Sequence, residues 1–346
     1  MHGTVHLFEQ LPLAAPPPLP LARALPGRLS SSTRRVPLVG VIRNPHSHRG
    51  GATQPAWTGR ATLLVETPVK RRAIRAILAC FAEQRIDYLV VDGGDGTVRD
   101  VLTCGADCFG DSWPPLIVIP SGKTNALAND LGVPSAWTLE EALRLAEEGR
   151  FVQRQPLIVS QADNADARVI GFALGAGLYS EAIGLGQESH RKGAFNAVAV
   201  ALTAVWTLLR ALLGRADDRW RRATPMVVRD DTGHPVPHSG LGREDERYVL
   251  FASTLDRFPA GLRPFRKVAG ALRMALMDAA RPGLLLRAPL MLTGFASRRL
   301  GRRGYHLIGG SAFELELDGR FILDGEAFPA GHYRIAAGPT LRFVAP

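Results

Sequence analysis

Short apolar runs alternate with amphipathic segments over residues 36–150, and this alternation limits the fold of the region. The apolar run at 36–42 is bounded by turn residues, as expected of a strand buried on both faces. The segment 69–85 instead carries its apolar residues at helical spacing. A later helix is expected to begin after Thr138 and to end at Gly149. Because strands that alternate with helices form parallel sheets covered by helices, we predict an α/β domain with a parallel sheet over 36–150.

The pattern changes near residue 151, where most apolar segments are typical of strands. Within this part, Asp318-Gly319 stands between two strand-like segments and predicts a two-residue hairpin. We therefore predict a mostly antiparallel β domain over 151–346 and leave open whether its last strands return to the first domain. Residues 1–35 are rich in proline and are expected to form an extended, loosely ordered arm.

The chain of 346 residues carries 42 basic and 32 acidic residues, a formal charge of +10. Such a charge suits an anionic membrane surface or a polyanionic substrate. The arginines occur as scattered pairs without interleaved aromatic residues, so we expect no nucleic-acid partner. The three cysteines have no framework spacing, which favours structural thiols in a reducing cytoplasm.

Residues 193–214 form the most apolar stretch of the chain. Asn196, Thr203, Thr207 and Arg210 interrupt it, which argues against a membrane-spanning helix. Two interpretations stay open, a helix buried against a sheet and a helix that faces a membrane surface.

The letters Ser121-Gly122-Lys123-Thr124 look like the end of a P-loop. That motif needs a glycine five positions before Gly122, and the residue there is Ile117. The sequence therefore argues against a P-loop.

A stronger phosphate signal lies at Gly93, Gly94 and Gly96, between a predicted strand and a predicted helix. Glycines let a backbone approach a ligand closely, and a helix N-terminus favours phosphate. The carboxylate of Asp95 would repel nearby phosphate groups unless Mg²⁺ lay between them, or unless the carboxylate held the proton of a hydroxyl group. The alternative is a tight turn closed by an aspartate cap.

The glycine turn followed by Pro120, Gly122 and Asn125 resembles the catalytic domain shared by diacylglycerol kinases, sphingosine and ceramide kinases and bacterial lipid kinases. Three further segments match that family in order. They are Asn44, Pro45, Ser47 and Gly50 after the first strand, "GFALGAGLYSEAI" from Gly171, and "LDGEAF" from Leu323. The resemblance extends over residues 37–346.

The resemblance implies a nucleotide-binding α/β domain, a β-sandwich and transfer of the ATP γ-phosphoryl group to a lipid hydroxyl. It implies Glu326 as the base, Asp324 beside it, and Asp95 as an organiser of Mg²⁺ or of the acceptor hydroxyl. The residues implied to hold the nucleotide are Asn44, Thr67, Gly93, Gly94, Gly96, Thr97, Gly122, Lys123, Thr124 and Asn125.

Two positions depart from the family pattern. Lys123 replaces a threonine, and its role at the nucleotide stays open, with Thr124 as a substitute. Relatives carry Asp-Gly-x-Leu-Asp where this chain has Ala269, Gly270, Leu272 and Arg273, and bacterial relatives can bind a structural Mg²⁺ nearby. Whether that metal site exists in this chain stays open.

The expected protein is thus a cytoplasmic lipid kinase, peripherally associated with an anionic membrane that holds its lipid substrate. Its alternatives are a soluble kinase similar to NAD kinases or phosphofructokinases, and a pseudokinase that binds lipid or nucleotide without turnover. A homodimer is compatible with the sequence.

Overall fold

The computed structural model describes residues 10–14, 36–45, 61–180, 221–295 and 297–346. The chain divides into two compact units. The α/β unit contains Leu13–Pro156, Arg257–Pro259 and Pro339–Pro346, and the β unit contains Met1–Pro12, Leu157–Asp256 and Ala260–Gly338.

The α/β unit is built on one six-stranded sheet. Its strands are β1 (Leu38–Arg43), β2 (Thr62–Glu66), β3 (Tyr88–Gly93), β4 (Leu116–Pro120), β5 (Phe151–Arg154) and β18 (Leu341–Val344). The helices described in this unit are α1 (Arg71–Glu83), α2 (Asp95–Phe109), α3 (Ala126–Leu131) and α4 (Leu139–Glu147). The strand order is β2-β1-β3-β4-β18-β5, and neighbours are parallel except at the antiparallel edge strand β5.

The central strands of this sheet are buried on both faces. Val90 and Val91 follow one another in β3 and are both buried, although their side chains point to opposite faces. Burial on both faces is expected of the central strands of a parallel sheet. The predicted α/β fold is confirmed.

Helix α4 begins and ends where the sequence predicts. Thr138 Oγ1 accepts a hydrogen bond from Glu141 N at 3.2 Å, and a Glu141 carboxylate oxygen accepts one from Thr138 N at 3.0 Å. This reciprocal pair is a capping box. Gly149 lies just past the helix with φ of 75°, the left-handed backbone that glycine adopts without strain.

The β unit contains two six-stranded antiparallel sheets. The first consists of β6 (Leu157–Gln161), β7 (Arg168–Gly171), β9 (Thr224–Asp230), β10 (Glu246–Arg247), β14 (Ala312–Leu317) and β17 (Gly331–Ala337). The second consists of β8 (Ala173–Gly177), β11 (Val249–Ser253), β12 (Leu272–Met277), β13 (Tyr305–Gly310), β15 (Phe321–Leu323) and β16 (Glu326–Phe328). Side chains of both sheets form one apolar core, so the sheets pack as a β-sandwich, as expected.

The α/β unit continues through Pro156. β5 pairs with β18 at the edge of the parallel sheet and therefore belongs to the α/β unit. β18 comes from the end of the chain, so the last strand returns to that sheet.

The arm also contributes to a core, because Leu11 is buried in the sandwich and Pro12 O accepts a hydrogen bond from Arg168 N at 2.9 Å.

The predicted hairpin at Asp318-Gly319 is wrong. β14 pairs with β9 and β17, whereas β15 pairs with β8 and β16, so the two residues link strands of different sheets. Leu317 and Phe321 enter the same core from these two sheets. Asp318 N donates to Pro225 O at 3.0 Å, which extends the pairing with β9. Gly319 does not adopt the positive φ of a two-residue hairpin turn.

The predicted apolar helix at 193–214 lies outside the described residues. Among the residues that the structure describes, no helix is long and apolar enough to cross a membrane. Between β12 and β13, the described residues form three short helices: α5 (Pro282–Leu285), α6 (Ala288–Met291) and α7 (Arg298–Gly301). Leu284, Leu285 and Met291 pack with Met277 and Tyr305 in a second apolar cluster of the β unit.

The cysteines are free thiols, and two of them are partly buried in α2. Burial raises the pKa of the Cys104 thiol, and it raises the pKa of Cys108 to about 11. Thiols that resist ionisation are poor nucleophiles and poor metal ligands, which is typical of structural cysteines.

A buried aspartate ties together separate segments of the β unit. Asp278 follows β12, and its carboxylate accepts hydrogen bonds from Ser239 N at 2.9 Å and Ser239 Oγ at 2.6 Å. His306 Nε2 lies 2.9 Å from the same carboxylate, and Arg247 Nη1 donates to it. Burial alone would raise the pKa of Asp278, but the hydrogen bonds from His306 and Ser239 outweigh it and lower the pKa below its usual value.

Replacing Asp278 is expected to destabilise the protein. Asp278→Asn leaves Arg247 buried without its anionic partner, which costs about 3 kcal/mol of the free energy of unfolding. Because the folded pKa of Asp278 is lowered, its contribution is present above pH ~4 and is lost as the pH falls further. Urea unfolding should show the wild-type advantage at neutral pH and its decline in acid. The exposed Asp318→Asn is the matched control, and a variant as stable as wild type at neutral pH would contradict this account.

Candidate active site

The ends of three parallel strands bring most of the predicted nucleotide residues to one edge of the sheet. β1 is followed by Asn44, β3 ends at Gly93, and β4 is followed by Ser121. The register aligns these ends, since Arg43 lies opposite Asp92 and Gly93 lies opposite Pro120. The carboxyl edge of a parallel sheet is where α/β proteins bind ligands.

Asp92 joins the three strand ends. Its Oδ2 accepts a hydrogen bond from Arg43 Nε at 3.0 Å, and its Oδ1 accepts one from Ser121 Oγ at 2.9 Å. Sequence reasoning missed these three residues. The available signal was an aspartate that ends an apolar strand next to glycines, with a polar residue at the end of each neighbouring strand.

Asn44 and Thr97, both predicted to hold the nucleotide, are in direct contact. Asn44 Nδ2 donates to Thr97 Oγ1 at 3.0 Å, and Asn44 N donates to Asp92 O at 2.9 Å. Thr97 lies in the first turn of α2, where its N–H donates to Gly94 O at 2.9 Å. A side chain at Gly93 would come within 2.5 Å of the Thr97 side chain, so Gly93 makes room for Thr97.

Gly94 and Gly122 are required by each other. A Cβ at Gly122 would lie 2.4 Å from Gly94 Cα, and a Cβ at Gly94 would lie 2.9 Å from Gly122 Cα. The two turns therefore touch backbone to backbone. Gly96 differs, because the nearest atom to a Cβ there is the Arg99 guanidinium at 3.8 Å. Of these glycines, Gly96 is the one whose open side a ligand can approach.

Asn125 shapes the second turn. It has φ of 49°, in the left-handed region that asparagine tolerates. Its Oδ1 accepts from Gly122 N at 2.9 Å, and its Nδ2 donates to Gly122 O at 2.8 Å. These bonds hold Gly122 against Gly94. Lys123 and Thr124 lie on the exposed outer part of the same turn.

Asp95 links the first turn to the second. Its Oδ2 accepts from Ala126 N at 3.0 Å and its Oδ1 accepts from Leu127 N at 3.3 Å, the first N–H groups of α3. Burial raises the pKa of Asp95, and these backbone hydrogen bonds oppose that rise. Among the described residues, no cluster of three or more His, Cys, Asp or Glu could hold a metal ion. The structure thus gives Asp95 a positioning role, and its predicted role at Mg²⁺ stays a prediction.

The edge fits phosphate groups. Helix α2 has 15 residues, and its N-cap Gly94 provides no side-chain hydrogen bond to the first turn. The N–H groups and the dipole of such a terminus attract anions. Thr67 follows the neighbouring strand β2 and is exposed.

Asp324 and Glu326 lie in the β unit, at the turn between β15 and β16. Asp324 and Gly325 have φ of 46° and 86°, and Leu323 pairs with Glu326, which defines a two-residue hairpin. Asp324 Oδ2 accepts from Phe172 N at 2.9 Å and its Oδ1 accepts from Ala173 N at 3.0 Å. The carboxylate of Asp324 therefore fixes the turn, and the half-buried Glu326 begins β16.

The residues near Ala269 do not fit a structural metal ion. Ala269 offers no side-chain oxygen, and Arg273 places a guanidinium among the nearby oxygen atoms. Its Nη1 donates to Asp256 Oδ1 at 2.8 Å, and its Nη2 donates to Thr254 O at 2.8 Å and to Leu255 O at 2.9 Å. A fixed positive charge thus satisfies oxygens of the kind that a hard cation would bind.

Comparisons with known proteins agree with the predicted resemblance. Residues 40–155 match the model of the diacylglycerol kinase catalytic domain. Over 64 residues the chain is 39% identical to "Probable lipid kinase YegS" of Shigella flexneri and to the protein of that name from Escherichia coli (strain SE11). That alignment covers 18% of this chain and 21% of each relative, so the matched part spans about a fifth of the relatives' length.

Solved structures show the same fold over nearly the whole chain. One is described as a putative diacylglycerol kinase from Bacillus anthracis str. Sterne, with a TM-score of 0.62, 16% identity and coverage of 90% of this chain and 98% of that chain. Another is described as a diacylglycerol kinase from the same strain, with a TM-score of 0.58, 14% identity and the same coverage. At such identities the likeness shows the fold alone.

Variants of Gly122 and Gly96 distinguish an effect on stability from an effect on ATP binding. Gly122→Ala places a Cβ against the Gly94 backbone and is expected to cost about 1–3 kcal/mol of the free energy of unfolding. A Cβ at Gly96 would make only ordinary contact, 3.8 Å from the Arg99 guanidinium, so Gly96→Ala within a helix is expected to cause no loss of stability. It should nevertheless weaken ATP binding, because it narrows the approach to the N-terminus of α2.

Urea unfolding and ATP titration by calorimetry of both variants check these expectations. A Gly122→Ala protein as stable as wild type would contradict the role given to the backbone contact. A Gly96→Ala protein with unchanged ATP affinity would remove Gly96 from the site.

Proposed function

We propose that the protein transfers the γ-phosphoryl group of ATP to the hydroxyl group of a lipid, and the match of residues 40–155 to the model of the diacylglycerol kinase catalytic domain supports this proposal. One observation carries the proposal for the nucleotide. The turn after β3 leads into a 15-residue helix whose first turn has no capping side chain, at the carboxyl edge of a parallel sheet. Phosphoryl transfer depends mostly on positioning and charge neutralisation, and such a turn supports both.

The proposed roles in phosphate binding follow from the contacts. Gly96 and the N-terminus of α2 would face the phosphates, and Asn44 would act through Thr97, to which it is hydrogen-bonded. Gly94, Gly122 and Asn125 would act by shaping the two turns, and Thr67, Lys123 and Thr124 would contact the nucleotide from the exposed side.

Mg²⁺ would arrive with the nucleotide and would neutralise charge on its phosphates. The described residues supply no metal cluster of their own. Asp95 is the carboxylate nearest to the glycine turn in sequence. Because both of its oxygens accept backbone N–H groups, we assign it chiefly to holding α3 against the turn.

Glu326 is the proposed base for the acceptor hydroxyl. Its backbone is fixed by the hairpin turn, and Asp324 holds that turn against Phe172 and Ala173. From this position its carboxylate would accept a proton as the hydroxyl oxygen attacks phosphorus. Asp324 would then be a positioning residue.

The acceptor is proposed to be a lipid of the diacylglycerol or sphingoid type in an anionic membrane, with the protein on the cytoplasmic side. The charge of +10 supports attraction to such a surface. Each basic residue near anionic lipid contributes about 1 kcal/mol.

The proposal is tested with γ-labelled ATP and two lipids, a diacylglycerol and a sphingoid base. Wild type is expected to give a labelled lipid, and Glu326→Gln is expected to lower kcat by about 10²-fold or more. Glu316→Gln is the matched control, because Glu316 is exposed on a strand of the same sandwich. Circular dichroism should show equal folding of the three proteins.

The alternatives give different outcomes in the same assay. When NAD and fructose 6-phosphate are added as further acceptors, label in NADP or in a fructose bisphosphate without labelled lipid would indicate a soluble kinase. Nucleotide binding without transfer to any lipid tested would indicate a pseudokinase, and either result would overturn the proposal.

A further inference from the structure

The segment between β12 and β13 exposes apolar side chains together. Its helices α5 and α6 bury Leu284, Leu285 and Met291 against the sandwich and leave their intervening neighbours outside. The exposed residues are Leu286 at 67%, Leu290 at 45%, Leu292 at 44% and Phe295 at 40%. Single exposed apolar residues are ordinary, but four within ten positions make this segment a candidate interaction surface.

The same segment is strongly basic. Residues 279–313 contain no Asp or Glu. The arginines of this segment are Arg281, Arg287, Arg298, Arg299, Arg302 and Arg303, and all are exposed.

A neighbouring loop enlarges this surface. Arg263 N donates to Leu292 O at 3.2 Å, and Gly294 lies against the backbone of Arg263 and the Cβ of Arg266. Arg263, Arg266 and the following Lys267 are exposed. From residue 257 to 313 the only acid is Asp278, which is buried and bonded to Arg247.

We propose that residues 281–303, with Arg263, Arg266 and Lys267, form a docking surface for an anionic lipid bilayer. We call it the basic apolar surface. Leucine and phenylalanine side chains among arginines suit the interface of a bilayer, where apolar groups enter the acyl region and arginines meet the headgroups. The purpose of the surface, to hold a kinase at the membrane that contains its substrate, rests on the proposed function.

Two other partners, a second copy of the chain and nucleic acid, fit this surface less well. A second copy would place the same arginines against each other, which costs free energy. Nucleic acid would contact the arginines but would leave the exposed leucines in water. An anionic bilayer satisfies both features.

The test uses the full chain without ATP, so it does not depend on catalysis. Sedimentation is measured with vesicles of phosphatidylcholine and with vesicles that also contain phosphatidylglycerol. Binding is expected only with phosphatidylglycerol, and added salt should weaken it. Leu286→Ser/Leu290→Ser and Arg298→Glu/Arg299→Glu are each expected to lower the partition coefficient by about tenfold or more.

Matched controls lie in the α/β unit. Val69→Ser removes an exposed apolar side chain, and Arg72→Glu/Arg150→Glu makes the same charge change elsewhere. Both controls are expected to bind as wild type does. Hydrogen–deuterium exchange should show protection of residues 281–303 when the vesicles are added.

Three results would overturn the proposal. They are wild type that fails to bind phosphatidylglycerol vesicles, surface variants that bind like the controls, and protection at 193–214 in place of 281–303. A serine variant that converts a dimer to a monomer without a change in vesicle binding would identify a dimer interface instead. Vesicle binding without lipid phosphorylation would leave the surface in place and reject the proposed function alone.

Discussion

The contact between Gly94 and Gly122 is the constraint on which the candidate nucleotide site depends. The turns after β3 and β4 touch backbone to backbone, and either position is too close to its neighbour for a Cβ. Asn125 holds Gly122 in place, and Asp95 ties the start of α3 to the start of α2. With the turns joined, the N-terminus of α2, Asn44 and Thr97 lie at one edge of the sheet. Gly94 and Gly122 are therefore part of the scaffold, whereas a Cβ at Gly96 would make only ordinary contact, 3.8 Å from the Arg99 guanidinium.

Aspartates perform the same task in both units, since each uses its carboxylate to fix a turn or a strand end. Asp92 joins the ends of β1 and β4, and Asp324 holds the turn before Glu326 through Phe172 and Ala173. The carboxylate of Asp278 contacts Ser239, Arg247 and His306. Carboxylates bound to N–H and guanidinium donors fix irregular backbone where no regular ladder can. Acidic residues that a motif suggests as catalytic can thus serve first as positioning residues.

Much of the fold could be predicted from the sequence because its signals are local. Apolar runs, helical spacing and the predicted N-cap Thr138 identified the parallel sheet and its helices. The Asp318-Gly319 hairpin failed because local turn chemistry does not reveal which sheet the next strand joins; Leu317 and Phe321 instead share a core.

In the site, the motif pointed to Gly94, Gly122 and Asn125 but did not reveal why these residues are needed. A contact between turns 28 residues apart in sequence, counted from Gly94 to Gly122, is invisible to spacing alone. Asp92 and Arg273 were missed as partners for the same cause, because their partners are distant along the chain.

Transfer of a phosphoryl group to lipid is the central claim, and mass spectrometry of a native lipid extract tests it most directly. The extract is incubated with the protein and with ATP labelled with heavy oxygen in the γ-phosphate. A lipid heavier by one labelled phosphoryl group is the expected product. Labelled free phosphate with an unchanged lipid profile would contradict the claim.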